Sequence, residues 1–248
     1  MRVLISNDDG YQADGIIQLS KSLSEIAEVI VVAPSANKSA ASSSLTIGKP
    51  LKPIQIEKGV YAIDATPSDC VHLALCGFIK EPIDLVVTGI NFGANLGDDV
   101  IYSGTVAGAI EGRFLGLPSI ALSLASWNCN HFETAGNIAK ILVSQINKAP
   151  LSKNTIINVN VPDIPMNEIL GIKSTRLGSR HKSAPSIQDS KDPSLYWIGE
   201  NGREADNVEG TDFHAVTNNF VSVTPLQIDS TKYSEVNLLG NWLENISY

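Results

Sequence analysis

Two adjacent carboxylates, Asp8 and Asp9, follow directly on the apolar run that opens "VLISNDDG". Charge is costly on a buried strand, and like charges side by side repel unless a cation lies between them. The pair reads either as a solvated Asx-type turn, because Asp and Gly gather in turns, or as part of a metal site. Two other polar stretches, "SANKSAASSS" with Asn37, Lys38 and Ser39, and "GINFGANLGDDVIYSGT" from Gly89, also follow apolar runs. Carboxylates, hydroxyls and amides are hard oxygen donors that suit Mg²⁺, Mn²⁺ or Ca²⁺; with no Cys or His among them, the set argues against zinc. The segment "YSGT" opens a predicted helix. Its N-terminus, with Ser103, Gly104 and Thr105, is either a phosphate site made of backbone N–H groups or an ordinary N-cap. No Gly-Lys-Ser/Thr follows Gly93 or Gly97, and Gly10–Gly15 does not match the dinucleotide fingerprint, which disfavours P-loop and nicotinamide chemistry.

These stretches need a scaffold that gathers them. Hydrophobic periodicity predicts a strand over Arg2–Asn7, a helix over Gly15–Ala27 and a strand over Glu28–Pro34, which is a strand–helix–strand unit with parallel pairing. A hairpin around Lys58-Gly59 within Leu51–Asp64 follows, then a helix over Pro67–Ile79 and a strand over Ile83–Asn91. Beyond them come a helix from about Thr105 to Leu115, a strand over Ser119–Ala125, a helix over Phe132–Ala149 and a strand over Thr155–Pro162. Alternation of this kind predicts an α/β fold: a doubly wound, Rossmann-like, mostly parallel sheet forming a core over residues 1–165. Residues 166–248 read as an extension with scattered strand-like pieces ("LYWIGE", "FVSVTPLQI") and a terminal helix carrying Val236, Leu239, Leu243 and Ile246 on one side. In open α/β sheets ligands bind outside the carboxyl ends of the strands, which is where the three polar stretches fall.

Composition narrows the partners. A net charge of −8 argues against a nucleic acid or an anionic membrane, and a small anionic substrate would need a local positive feature such as a metal ion or a helix N-terminus. No apolar run approaches the ~20 residues of a membrane helix, and no basic leader precedes an apolar stretch. Cys70, Cys76 and Cys129 form no metal-type pair and read as reduced core residues of a cytoplasmic protein. His72 falls in a predicted helix and His131, His181 and His214 in loops, so histidine catalysis is not expected.

The segments "LISNDDG", "VVAPSANKSAASSSLT", "TPSDC" and "GINFGANLGDDVIYSGTVAGAIEGRFLG" resemble the SurE family, the stationary-phase survival nucleotidases. "TRLGSRH", "LYWIG", "GTDF" and "VSVTPL" look like that family's C-terminal part, so the likeness covers nearly the whole chain. The resemblance implies a metal-dependent phosphatase of nucleoside 5′- and 3′-monophosphates, extended in some members to short polyphosphate. It implies one divalent ion per subunit, Mg²⁺ or Mn²⁺, held by Asp8, Asp9, Ser39 and Asn91, and a phosphate pocket of Asn95, Ser103, Gly104 and Thr105. On that reading Asp8, Asp9 and Asn95 are the catalytic residues, and the C-terminal part exchanges between subunits to give a homodimer or homotetramer.

Four positions depart from the family pattern. Gln12-Ala13-Asp14-Gly15 stands where His-Ala-Pro-Gly is frequent, Ala40 replaces a common glycine, and Ser68 a frequent threonine. Asp14 adds a negative charge near the expected mouth of the site. A haloacid-dehalogenase-type phosphatase would need an Asp-x-Asp spacing, whereas this chain has Asp-Asp. The alternative to an enzyme is a metal-bound nucleotide sensor or stress scaffold on the same core.

Overall fold

The computed structural model describes residues 1–152, 155–244 and 246; residues 245, 247 and 248 of the predicted extension lie outside the described residues. In chain order the elements are β1 (Arg2–Ser6), α1 (Asp14–Leu23), β2 (Glu28–Pro34), β3 (Ile54–Glu57), β4 (Val60–Ile63) and α2 (Pro67–Leu73). Then come β5 (Leu85–Phe92), α3 (Gly104–Phe114), β6 (Ser119–Ala125), α4 (Phe132–Lys148), β7 (Ile156–Pro162) and β8 (Gly171–Ser174). The last part holds β9 (Ser179–Arg180), β10 (Ile187–Gln188), β11 (Tyr196–Trp197), β12 (Glu204–Asp206), α5 (Asp212–Thr217), β13 (Phe220–Leu226) and α6 (Tyr233–Leu243).

One nine-stranded sheet runs β3-β4-β2-β1-β5-β6-β7-β13-β8. From β4 to β7 every neighbour is parallel. The near-continuous apolar sequences of β1, β2 and β5 suit strands covered on both faces. Ile16, Leu19 and Leu23 of α1 pack with Ala135, Ile138 and Val143 of α4 over one face, in a cluster that includes Val3, Ile5, Val87 and Leu122. On the other face Cys70 and Val71 of α2 pack with Leu4, Val32 and Val86, and Val106 and Ala109 of α3 pack with Ala121 and Ile156. The predicted doubly wound architecture is the observed one.

Several boundaries differ from the sequence expectation. α1 stops at Leu23, where the Ser24 hydroxyl donates back to the Ser20 carbonyl at 2.8 Å and Ile26 is left exposed. The helix expected to reach Ile79 ends at Leu73 and continues as a π-helical turn over Ala74–Phe78. The stretch "LYWIGE" yields only the two-residue β11, paired with β10 in a small ribbon. "FVSVTPLQI" instead supplies β13, which joins the main sheet antiparallel to β7 and carries β8 on its far side. α6 buries none of its residues within the chain, leaving Val236, Leu239, Trp242 and Leu243 exposed. The thiols also differ: Cys70 is buried, but Cys76, on the π-helical turn, is exposed and Cys129 is half-buried. His214 lies not in a loop but in α5, whose start is capped by the Thr211 hydroxyl accepting from the His214 N–H at 3.2 Å. Among the described residues no helix is long and apolar enough to cross a membrane.

Candidate active site

Strand order reverses around β1, which has β2 on one side and β5 on the other, and a crevice at such a switch point is where this architecture binds ligands. The turn after β1 is built by Asn7. Its side-chain amide donates to the Gly10 carbonyl at 2.9 Å, and its Oδ1 accepts from the Gly10 N–H at 3.2 Å. Gly10 sits at φ +103°, a conformation that glycine adopts without strain. The two readings of "NDDG" are therefore not exclusive, because Asn7 makes the turn and leaves both aspartates free for other partners.

Asp8 is only 3% exposed. The Thr105 hydroxyl donates to its Oδ1 at 2.5 Å. Gly104, the first residue of α3, abuts the same side chain: a Cβ there would lie 2.8 Å from the Asp8 Cβ and 2.9 Å from its Oδ2. Only glycine lets α3 begin against this carboxylate. The Thr88 hydroxyl in turn donates to the Thr105 carbonyl at 2.6 Å, tying the start of α3 to the central strand. Hydrogen bonds from Thr105 and from the Gly104 and Thr105 backbone favour the ionised form, but burial dominates and holds the Asp8 carboxyl above its usual range.

Asp9 is half-buried. The Phe92 N–H donates to its Oδ2 at 3.0 Å, and the Asn37 amide reaches its Oδ1 at 3.4 Å. Burial pushes its pKa up to about 6, against the Phe92 hydrogen bond and with a further push from the Asp8 charge. None of the ion pairs among the described residues involves either aspartate. Lys38, in the loop after β2, turns to Asp64 at 3.1 Å instead.

The loop after β2 is fastened to this turn. The Lys38 N–H donates to the Asp8 carbonyl at 2.7 Å, and the Ser39 N–H to Asn37 Oδ1 at 2.8 Å. Asp9, Asn37 and Ser39 line one cleft. Ala40, next in the chain, sits at φ 59°, so the position where the family pattern has glycine does demand the left-handed region and alanine occupies it at a cost. At the end of β5 the Asn91 amide donates to the Gly93 carbonyl at 2.8 Å, which leaves Oδ1 open as a donor to a cation.

The remaining expected residues sit less directly on this centre. The Ser103 hydroxyl accepts from the Val106 N–H at 3.0 Å, so it is an N-cap in fact. Asn95 is 6% exposed and belongs to an amide cluster. Its carbonyl accepts from Asn158 and Asn160 at 2.8 and 2.9 Å, its N–H donates to Asn160 Oδ1, and its own amide donates to Ser123 Oγ at 2.8 Å. No hydrogen bond joins it to Asp8 or Asp9 among the described residues. Sequence reasoning passed over Asn158 and Asn160. Their signal was the repeat of two amides at period two in "INVNVP", which an ordinary buried strand does not need. Thr88, Phe92 and Trp127 carried no comparable signal.

Among the described residues no three His, Cys, Asp or Glu side chains gather to hold a metal. A cation here would have two carboxylates and neutral oxygens, a composition that fits a hard divalent ion. Two adjacent carboxyls, held above their usual range and lacking an ion-pair partner, are what such an ion would stabilise.

The profile of the family described as "Survival protein SurE" matches residues 3–184. The chain belongs to the SurE family. It is 70% identical over 246 residues to a protein named 5′-nucleotidase SurE from Ruthia magnifica subsp. Calyptogena magnifica, covering 99% of this chain and 100% of that one. It is 53% identical over 248 residues to a 5′-nucleotidase SurE of Legionella pneumophila subsp. pneumophila (strain Philadelphia 1), covering 99% and 98%. The crystal structure of the SurE protein from Aquifex aeolicus superposes with a TM-score of 0.88 at 40% identity, covering 99% of this chain and 100% of that one. The likeness thus spans the C-terminal third as well as the sheet, so β13 and α6 lie within what this SurE chain shares with its relatives.

Proposed function

We propose that this SurE chain is a metal-dependent phosphomonoesterase that hydrolyses nucleoside 5′- and 3′-monophosphates and, more widely, short polyphosphate. The observation that carries the reading is the Asp8–Asp9 pair itself: two carboxylates at a sheet switch point, one buried and one half-buried, in no ion pair among the described residues. Membership of a family whose relatives bear the name 5′-nucleotidase supports the nucleotidase class. Asp8, Asp9, Ser39 and the open Oδ1 of Asn91 would hold one Mg²⁺ or Mn²⁺. Such an ion, when bound, neutralises phosphate oxygens and acidifies a coordinated water.

The chain's own groups do the rest. Thr105 and the start of α3 hold Asp8 in place from behind, so the carboxylate is oriented before substrate arrives. Asp9, the more open of the two and with a pKa of about 6, is ionised at neutral pH and can accept the proton of an attacking water. Ser103, once its hydroxyl hydrogen is turned outward, and Asn95, through the amide hydrogen not given to Ser123 Oγ, would donate to equatorial phosphate oxygens. Because Thr105 already serves Asp8, its role is the positioning of that carboxylate.

Oligomerisation through the C-terminal third belongs to the same proposal. The exposed apolar side of α6 and the exposed β11 residues Tyr196 and Trp197 have no cover within one chain, and a symmetric partner, in a dimer or tetramer, would supply it. A cytoplasmic location fits the free thiols. A panel of 5′- and 3′-monophosphates and short polyphosphate, assayed with and without Mg²⁺ or Mn²⁺, tests the activity. Phosphate release that needs no metal would overturn the mechanism. Nucleotide binding without release would favour the sensor reading instead.

A further inference from the structure

We infer that the cleft beside Asp9 is a nucleobase subsite, with Trp127 and Phe92 as its stacking surfaces. The inference rests on the nucleotidase reading for the placement of the phosphate. The cleft, of about 420 Å³, is lined by Asp9, Asn37 and Ser39 together with Phe92, Trp127 and Phe132. It therefore holds the carboxylate that would face the phosphate and a set of aromatic rings in one space, at a volume suited to a small ligand.

Trp127 is 87% exposed and Phe92 45% exposed. A single exposed aromatic residue needs no explanation, but two that line one cleft with the catalytic carboxylate form a surface on which a flat, apolar-faced ligand can lie. Phe92 is placed by the sheet, and Trp127 by the bend that follows β6. Phe92 ends β5, is paired in register with Leu124 of β6, and fixes its backbone by donating its N–H to Asp9 Oδ2. Trp127 comes just after β6, and its ring packs over Gly93, whose missing Cβ would stand 3.6 Å away. The distance between the carboxylate and Phe92 is thereby set by the sheet, and contact with Gly93 at the end of β5 seats Trp127 beside it.

The charges order the ligand. Asp14 lines the same cleft and, as a carboxylate, accepts hydrogen bonds but repels anions. It would meet ring amino or ribose hydroxyl groups and turn the phosphate away, toward the ion held at Asp8 and Asp9. A base lying on the rings with its phosphate directed inward suits both the aromatic lining and the two carboxylates of the cleft. Stacking depends on the π-face common to all bases, so the subsite would select nucleotides over other phosphate esters more strongly than one base over another.

The test compares adenosine 5′-monophosphate with ribose 5-phosphate, the same ester without a base, in the metal-loaded full chain. In wild type, kcat/KM for the nucleotide exceeds that for the sugar phosphate at least tenfold. Trp127→Ala lowers that ratio about tenfold, mainly through KM, whereas Trp127→Phe retains most of it. An unchanged ratio in Trp127→Ala overturns the inference and leaves the nucleotidase reading standing. Calorimetric titration of the metal-free proteins with adenosine separates the opposite failure. If adenosine binds wild type and Trp127→Phe but not Trp127→Ala, while neither ester is hydrolysed, the activity is wrong and the base platform stands. Adenosine affinity indifferent to Trp127→Ala overturns the platform.

Discussion

Replacing Asp9 by Asn should stabilise the metal-free protein at neutral pH, although it removes a residue proposed for metal binding and catalysis. Burial lifts the Asp9 carboxyl from 3.8 to about 6 in the folded chain. The folded state therefore holds a proton that the unfolded chain gives up, and stability falls as pH rises from about 4 to about 6. At neutral pH the full linkage would cost about 3 kcal/mol. Asp9 is only half-buried, and solvent screening reduces this to about 1–2 kcal/mol. Asn keeps an oxygen for the Phe92 N–H and carries no charge, so it escapes this cost at every pH. Urea unfolding of chelator-treated wild type and Asp9→Asn across pH 4–8 should show curves that meet near pH 4 and part above it, with the variant higher. Carboxyls held below their usual range, such as Asp163 and Asp229, destabilise both proteins alike in acid and cancel in the difference. In saturating Mg²⁺ or Mn²⁺ the order should reverse, since only wild type gains from the ion. Curves that run parallel from pH 4 to pH 8 would refute the claim that this carboxyl is held at a cost for want of a cation.

The other expectations are simpler. Chelation should abolish phosphate release and Mg²⁺ or Mn²⁺ should restore it, with Asp8→Asn weakening metal affinity at least about tenfold by isothermal titration, on the scale of a lost ligand-shell partner. Thr105→Val removes the donor to Asp8 while keeping the shape, and should lower kcat/KM by about 10²-fold, with a loss of metal affinity that an independent phosphate-binding role would not cause. Ala40→Gly should relieve the left-handed strain and raise stability by about 0.5–1 kcal/mol in denaturant titration, the strain released minus the extra freedom of glycine in the unfolded chain. Leu239→Asp with Trp242→Asp on the exposed side of α6 should shift the protein to monomer in light scattering, with the circular dichroism of the core preserved.

The sheet was legible because its strands are covered on both faces and so read as bare apolar runs, and β2 and β6 have the bounds that periodicity gave them. The C-terminal third was less so. β13 has an ordinary strand sequence, but its place beside β7 is fixed by pairing across a long stretch of chain, which periodicity does not encode. At the centre, residue type pointed to Asp8 and Asp9 because paired carboxylates after a strand demand an explanation. Thr105 read as a donor for a ligand, and only packing reveals that Asp8 already occupies it. For Asn95, an amide in a loop suggests a substrate contact, but that its backbone carbonyl is held by Asn158 and Asn160 depends on β7 lying across from it. Trp127 and Phe92 gave no sign in the sequence, since one exposed ring looks like another until a shared cleft brings them together.

The position of β13 also orders events during synthesis. A ribosome delivers β1 to β7 first, together with every residue of the Asp8–Asp9 centre, yet β7 then presents a bare edge of backbone donors and acceptors. That edge is closed only when Ser222–Leu226 emerges near the end of translation and pairs with Ile156–Asn160. Until then the nascent sheet can pair with any extended chain nearby, including another copy of itself. A stop codon placed between β7 and β13 would thus release a product holding the whole reaction centre with its sheet unsealed, and such a product would be lost to aggregation or proteolysis rather than to any fault in its chemistry.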